Sequence, residues 1–334
     1  MTRKPVAFAL ITMLVFAHAT PAFAYLKLGV TVGGRSVTLK WATTPARYFV
    51  TNRASSGLSA ADIQGAVGRA FATWEAVPTA SIAYQFGGLT AASPGQSDGL
   101  STLGFLNRPE LTRVLATTSF LIDNTTGDLL ESDIFFNAAF PWSVASGGES
   151  GKFDLESIAL HEVGHFSGLG HSAIGETEFR PEGGRRVVAA EAVMFPIAFA
   201  AGSTSGRTLR ADDLAGISDV YPDGGVADST GSISGRVTKN GSGVFGAHVV
   251  AFDLAKGEIV GNFSLTNEGG FVIARLSPGP HVIRVEPLDD ADVDGFFTPA
   301  SRVDLDFRVR FADRLVVVPR AGDSGSIEIK VSPK

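Results

Sequence analysis

Cysteine is absent from all 334 residues. That excludes disulfides, iron–sulfur clusters, thiolate metal sites and a cysteine nucleophile together. Positive charge is also in short supply. There are 28 Lys and Arg against 34 Asp and Glu, a formal net charge of −6, so nothing could neutralise a run of phosphates and no nucleic-acid partner is expected. Beyond the first two dozen residues no apolar run is long enough to cross a bilayer, so no membrane span is expected. Internal repeats and low-complexity tracts are missing too. What is abundant is core material: 44% of residues are hydrophobic, far from a disordered composition, and the length suggests about two domains.

Residues 1–24 read as a secretory leader. Arg3 and Lys4 form a basic start, Val6 to Ala17 is apolar but short, and Ala22-Phe23-Ala24 is a small-x-small cleavage site. The mature chain is therefore expected to be exported, to the medium or to a periplasm. Without disulfides its stability must come from packing and bound ions.

The spacing of apolar residues predicts the rest of the architecture. Tyr48 to Thr51 reads as a strand, and a helix follows in which Ile63, Val67, Phe71 and Trp74 recur at helical spacing behind a Ser59-x-x-Asp62 capping box. Arg113 to Asp123 and Leu129 to Asn137 read as an antiparallel pair around the Asn124–Gly127 turn. Asp154 to Ser167 and Thr208 to Tyr221 read as further helices, the second with Leu214, Ile217 and Tyr221 on its apolar side. Pro222 to Ser229 is a polar, glycine-bearing linker. Beyond it, strands are expected at Ser232 to Thr238, Gly246 to Asp253, Phe271 to Leu276, Pro280 to Val285 and Ser326 to Val331, the pattern of a β-sandwich. The expected division is a leader (1–24), an α+β domain with a twisted mixed sheet and three helices (25–222), a linker (223–231) and an all-β sandwich (232–334).

One segment points to chemistry: His161-Glu-Val-Gly-His-Phe-Ser-Gly-Leu-Gly-His171. Of the six histidines, His18 lies in the leader and three of the others fall in this stretch. His161 and His165 are four apart on a helix, so their rings lie on one face and both nitrogens can reach one zinc ion. Glu162 is placed beside that ion, where a carboxylate can take a proton from water. Gly168 can end the helix and reverse the chain, letting His171 return as a third ligand and leaving a fourth position for water. On the order of one chain in 10⁵ of this composition would carry the whole pattern by chance. The bland alternative, a helix with solvated or core histidines, does not explain their clustering.

HExxHxxGxxH is the metzincin signature, and the flanks resemble the matrixin branch. Met194 in Ala192-Val-Met-Phe-Pro196 is similar to the methionine turn beneath the zinc. The helix from Asp212-Asp213-Leu214 to Tyr221 is similar to the matrixin helix that closes the domain. Phe153 to Ile158 resembles the lead-in to the active-site helix. The likeness covers roughly Ala46 to Tyr221 and implies a secreted zinc endopeptidase acting on protein or peptide substrates, with His161, His165 and His171 as ligands and Glu162 as base. It also implies a substrate-pairing edge strand at Val114 to Leu121 and an apolar pocket walled by Phe195, Pro196, Ile197 and Ala198.

Departures from the family refine this. Without cysteine there is no cysteine-switch latency. Without histidines between Tyr25 and Leu160 a second, structural zinc lacks ligands, so a single zinc is expected. Calcium is a further candidate, because Asp98-Gly99, Asp123, Asn124 and Asp128 offer oxygen donors, although the same residues are ordinary turn formers. The interval from His171 to Met194 is longer than the family usually shows, and Gly175 to Arg186 is expected either to gate the cleft or to be a solvated loop. The carboxy-terminal domain resembles prealbumin-like, carboxypeptidase regulatory-like modules through Gly231 to Val237, Gly246 to Ala251, Thr266 to Phe271 and Leu276 to Pro280. His248 and His281, isolated on its strands, are expected to be structural. A monomer is expected. The competing reading is an adhesion or binding protein in which the sandwich carries the function and the metal site is structural.

Overall fold

The computed structural model describes residues 10–11, 27–32, 35–181 and 183–334. The expected leader lies outside the described residues except for Leu10–Ile11, which pair antiparallel with Phe120 and Leu121.

The first layer is a mixed sheet. Its main strands are β1 (Ala46–Thr51), β2 (Tyr84–Thr90), β3 (Thr102–Leu106), β4 (Ala116–Ile122) and β5 (Asp128–Asn137), with α1 (Ala60–Glu75) crossing between β1 and β2. The order across the sheet is β4-β5-β3-β1-β2. All neighbours run parallel except β4, which returns antiparallel on β5 through the Asn124–Gly127 turn. Since β4 is out of step with the rest, it can sit at the sheet's edge. Among the described residues only Leu10–Ile11 lies on its outer side, so Ala116 to Ser119 keeps a free edge.

Helix α1 starts where its capping box satisfies the first amides: the Ser59 hydroxyl accepts from Asp62 N, and the Asp62 carboxylate accepts from Ser59 N. Ile63, Val67, Phe71 and Trp74 are all buried. Against that face lies α2 (Leu155–Phe166), and the Trp74 indole N–H donates to Leu160 O at 2.8 Å. A hairpin of β6 (Gly175–Phe179) and β7 (Arg185–Ala190) follows, and α3 (Ala211–Val220) ends this part of the chain. Two details differ from the sequence expectation. Leu214 is exposed, because α3 turns Ala215, Ile217 and Val220 inward. The expected linker contains a helical turn, Val226–Ser229, held by the buried Val226.

The carboxy-terminal part is all-β. Its strands are β8 (Gly231–Lys239), β9 (His248–Asp253), β10 (Ile259–Phe263), β11 (Gly270–Leu276), β12 (Gly279–Glu286), β13 (Val316–Val318) and β14 (Ile327–Val331). One sheet joins β11, β8 and β14, and the other joins β10, β9, β12 and β13. Buried Ile233, Val237, Phe271 and Ile273 face buried Val249, Ala251, Ile283 and Val285 across a single core. In β14, Ile327, Ile329 and Val331 are buried while Glu328 and Lys330 are exposed, the alternation of a half-buried strand.

Candidate metal centre

Helix α2 carries the first two histidines. Asp154 caps it, accepting from Ser157 N at 2.9 Å, and Arg207 pairs with the same carboxylate. The helix ends at Gly168, whose φ of +93° is open to glycine and strained for other residues. A Cβ there would also collide with the Leu39 carbonyl. Past this bend His171 swings back towards α2. Underneath, Met194 is buried against Gly164, where a Cβ would run into its sulfur.

The three rings converge. Their ligand nitrogens all lie within 4.8 Å of one another, and this is the one such group of His or carboxylate donors among the described residues. His161 Nδ1 meets Val193 O at 2.7 Å, His165 Nδ1 meets Leu169 O at 2.8 Å and His171 Nδ1 meets Gly295 O at 2.6 Å. A carbonyl can only accept, so each Nδ1 carries the proton and each Nε2 is left with a lone pair. The Nε2 atoms of His165 and His171 stand 3.2 Å apart. Two lone pairs at that distance repel unless a cation or proton lies between them. Burial, with the neighbouring rings, holds His161 down to about 3 and His165 below the usual histidine range, and burial alone lowers His171, so all three stay neutral. Three neutral imidazoles with a fourth side open to a cleft fit a zinc ion.

Glu162 points to the same place and is buried. Its Oε2 accepts the Thr118 hydroxyl at 2.6 Å, and burial raises its carboxyl to about 7. It is not one of the three converging donors. The surrounding cleft measures about 1030 Å³. One wall is the free edge of β4, including Ala116, Thr117 and Thr118, and the other is Phe195 to Ala198.

Several contributors were not visible in the sequence. Thr118 is one. Asp213 is another: its carboxylate accepts the amides of Val193 and Met194 at 2.8 and 3.1 Å, so it holds both the methionine turn and the carbonyl that orients His161. Asn137 fixes the approach to β4, donating from its amide to Arg108 O and Val114 O. Gly295, from the sandwich, is the least foreseeable. Of the oxygen donors considered for calcium, the three aspartates accept local hydrogen bonds. Asp98 accepts from Leu100 N, Asp123 from Thr125 N, and Asp128 from the Thr126 hydroxyl. These are turn contacts, and they lend calcium no support. His248 pairs with Glu286 and His281 with Gly279 O, and neither belongs to the histidine group.

Comparison with known proteins agrees with this geometry. Residues 40–181 match the matrixin peptidase family. A curated relative, metalloendoproteinase 5-MMP of Arabidopsis thaliana, is 30% identical over 109 residues, covering 30% of this chain and 26% of the relative. The chain thus spans about a quarter of that relative's length. Among solved structures, the TIE protein of Bacillus anthracis matches at 17% identity over 31% of this chain and 17% of that one, with a TM-score of 0.21. The major pilin subunit of Bacillus cereus, BcpA, matches at 15% identity over 32% and 31%, with a TM-score of 0.22. At those scores neither informs the fold. The signature, the family match and the relative agree in likening residues 40–181 to a matrixin peptidase domain.

Proposed function

We propose that the chain is an exported zinc-dependent endopeptidase that cuts peptide bonds. The observation that carries this is the convergence of three Nε2 atoms, each fixed by a backbone acceptor behind it, with a buried carboxylate alongside. His161, His165 and His171 would hold the ion. A zinc ion supplies Lewis acidity towards water and a peptide carbonyl. Glu162 takes a proton from the attacking water and passes it to the departing amine, a shuttle suited to a carboxyl poised near neutrality. Thr118 holds that carboxylate in place. The substrate backbone adds to the free edge of β4, and its side chain after the cut enters the apolar pocket at Ile197 and Ala198.

A catalytic role also explains Glu162 better than a structural metal site does, because a structural site has no use for a buried base. The test is cleavage of casein or a peptide library by the purified protein. Activity should vanish with a chelator, return with zinc, and favour hydrophobic residues just after the cut. Chelator-resistant cleavage, or none after zinc is restored, overturns the proposal.

A further inference from the structure

The ring of His171 is oriented from the other end of the chain. Its Nδ1 donates to Gly295 O, 124 positions away, and the Phe296 ring stands edge-on to it with centroids 5.9 Å apart. Both residues belong to the sandwich loop that follows β12. The loop is anchored below by Phe296 and Phe297, which pack on the buried Phe263, and Ala173, two residues past His171, joins the same apolar cluster.

The loop is also held from above, by the β6–β7 hairpin. Thr177 donates its amide to Asp290 Oδ1 at 3.0 Å and its hydroxyl to Asp290 O at 2.6 Å. Arg185 donates to Asp289 O at 2.7 Å and to Asp292 Oδ1 at 3.2 Å. This hairpin occupies the long interval between His171 and Met194. Much of it is exposed and its tip lines the cleft, but Thr177 and Arg185 tie it to the sandwich.

We propose that the β-sandwich is a working part of the metal centre: its 287–297 loop supplies the carbonyl that fixes His171 for metal binding, and the β6–β7 hairpin latches that loop in place. The inference rests on the reading of the three histidines as zinc ligands. Arg185, Thr177 and Asp290 are then positioning residues. They act through Gly295 on His171, as outer partners of a metal-bound histidine do when they set its tautomer and ring direction.

The experiment measures zinc affinity of the full chain by competition with a chromophoric chelator, beside thermal unfolding. Arg185→Leu and Asp290→Ala should each weaken zinc binding by about 10- to 100-fold while stoichiometry stays at one. Arg275→Ala, which removes an ion pair with Asp219 elsewhere between the sandwich and α3, should lower the unfolding temperature and leave zinc affinity unchanged. Unaltered affinity in the first two variants, or an equal loss in the third, overturns the inference. Should the latch variants fail to fold, the wild-type protein decides by NMR. A nuclear Overhauser contact between the His171 Nδ1 proton and the Gly295 α protons supports the inference, and its absence overturns it. Wild-type protein that takes up no zinc overturns the reading of the three histidines, and the inference with it.

Discussion

The proposed mechanism gives Glu162 and the three histidines separable work, and single substitutions should part them. Glu162→Gln keeps the side chain's shape and leaves the Nε2 atoms untouched. Zinc content should be normal while turnover falls by about 10²- to 10⁴-fold, the range for a lost general base; metal analysis beside peptide cleavage checks both. The rate of the wild-type enzyme should fall on the acid side as Glu162 takes up its proton. Burial sets that carboxyl at about 7, and a neighbouring dication moves the limb to lower pH. Asp154 is shifted the other way, and its effect is on stability. Burial opposes its ionisation, but the contacts with Arg207 and Ser157 win and hold it below the usual range. Its contribution is present above about pH 4 and is lost as pH falls through the lower folded value. Asp154→Asn should cost about 2–4 kcal/mol at neutral pH, slightly under the range for breaking a fully buried pair because Arg207 is partly exposed. Denaturant titration at several pH values reads it. At this scale the sequence was legible where the chemistry is local. His161, Glu162, His165 and His171 lie within one helical turn and one glycine bend. Thr118 lies 44 positions from Glu162 and Asp213 20 from Val193, and no local pattern announces either.

Elements were legible in proportion to how much of their burial is one-sided. Helix α1 declares itself through its capping box and its buried stripe, and β14 through alternation. Strand β10 does not: its Gly261 and Asn262 break the apolar pattern. The structure gives the reason, since Gly261 lies against Ile174 and His248 where a Cβ would collide. Strands β2 and β3 were missed for a similar cause, glycines at 87, 88 and 104 in otherwise ordinary strands. At Gly87 a Cβ would meet the Phe49 ring, and at Gly104 the Thr51 side chain. The end of α2 is the element on which the site most depends. Gly168→Ala should destabilise the protein by about 1–2 kcal/mol from the left-handed backbone alone, with more from the Leu39 carbonyl. Displacement of His171 should weaken zinc binding in step. A variant with unchanged melting temperature and zinc affinity would show that the bend does not set the ligand.

At the scale of the whole molecule the two halves are joined by polar contacts that composition does not reveal. Asp219 on α3 pairs across the join with Arg275 at 3.1 Å and within its own half with Lys27 at 2.6 Å. Asp212, buried, accepts Gly261 N at 2.9 Å. Burial raises the Asp212 carboxyl to about 7, so its stabilising contribution is full below about pH 4 and fades as pH rises through 7. In zinc-free protein, Asp212→Asn should therefore flatten the loss of stability between about pH 5 and 8, read by calorimetry. No helix among the described residues is long and apolar enough to cross a membrane.

The most direct measurement for the account as a whole is a zinc titration of chelator-stripped protein followed by peptide cleavage. Activity is predicted to rise linearly and level off at one zinc per chain, with His161→Ala staying inactive throughout. Cleavage that survives stripping, or a plateau that His161→Ala shares, would contradict it.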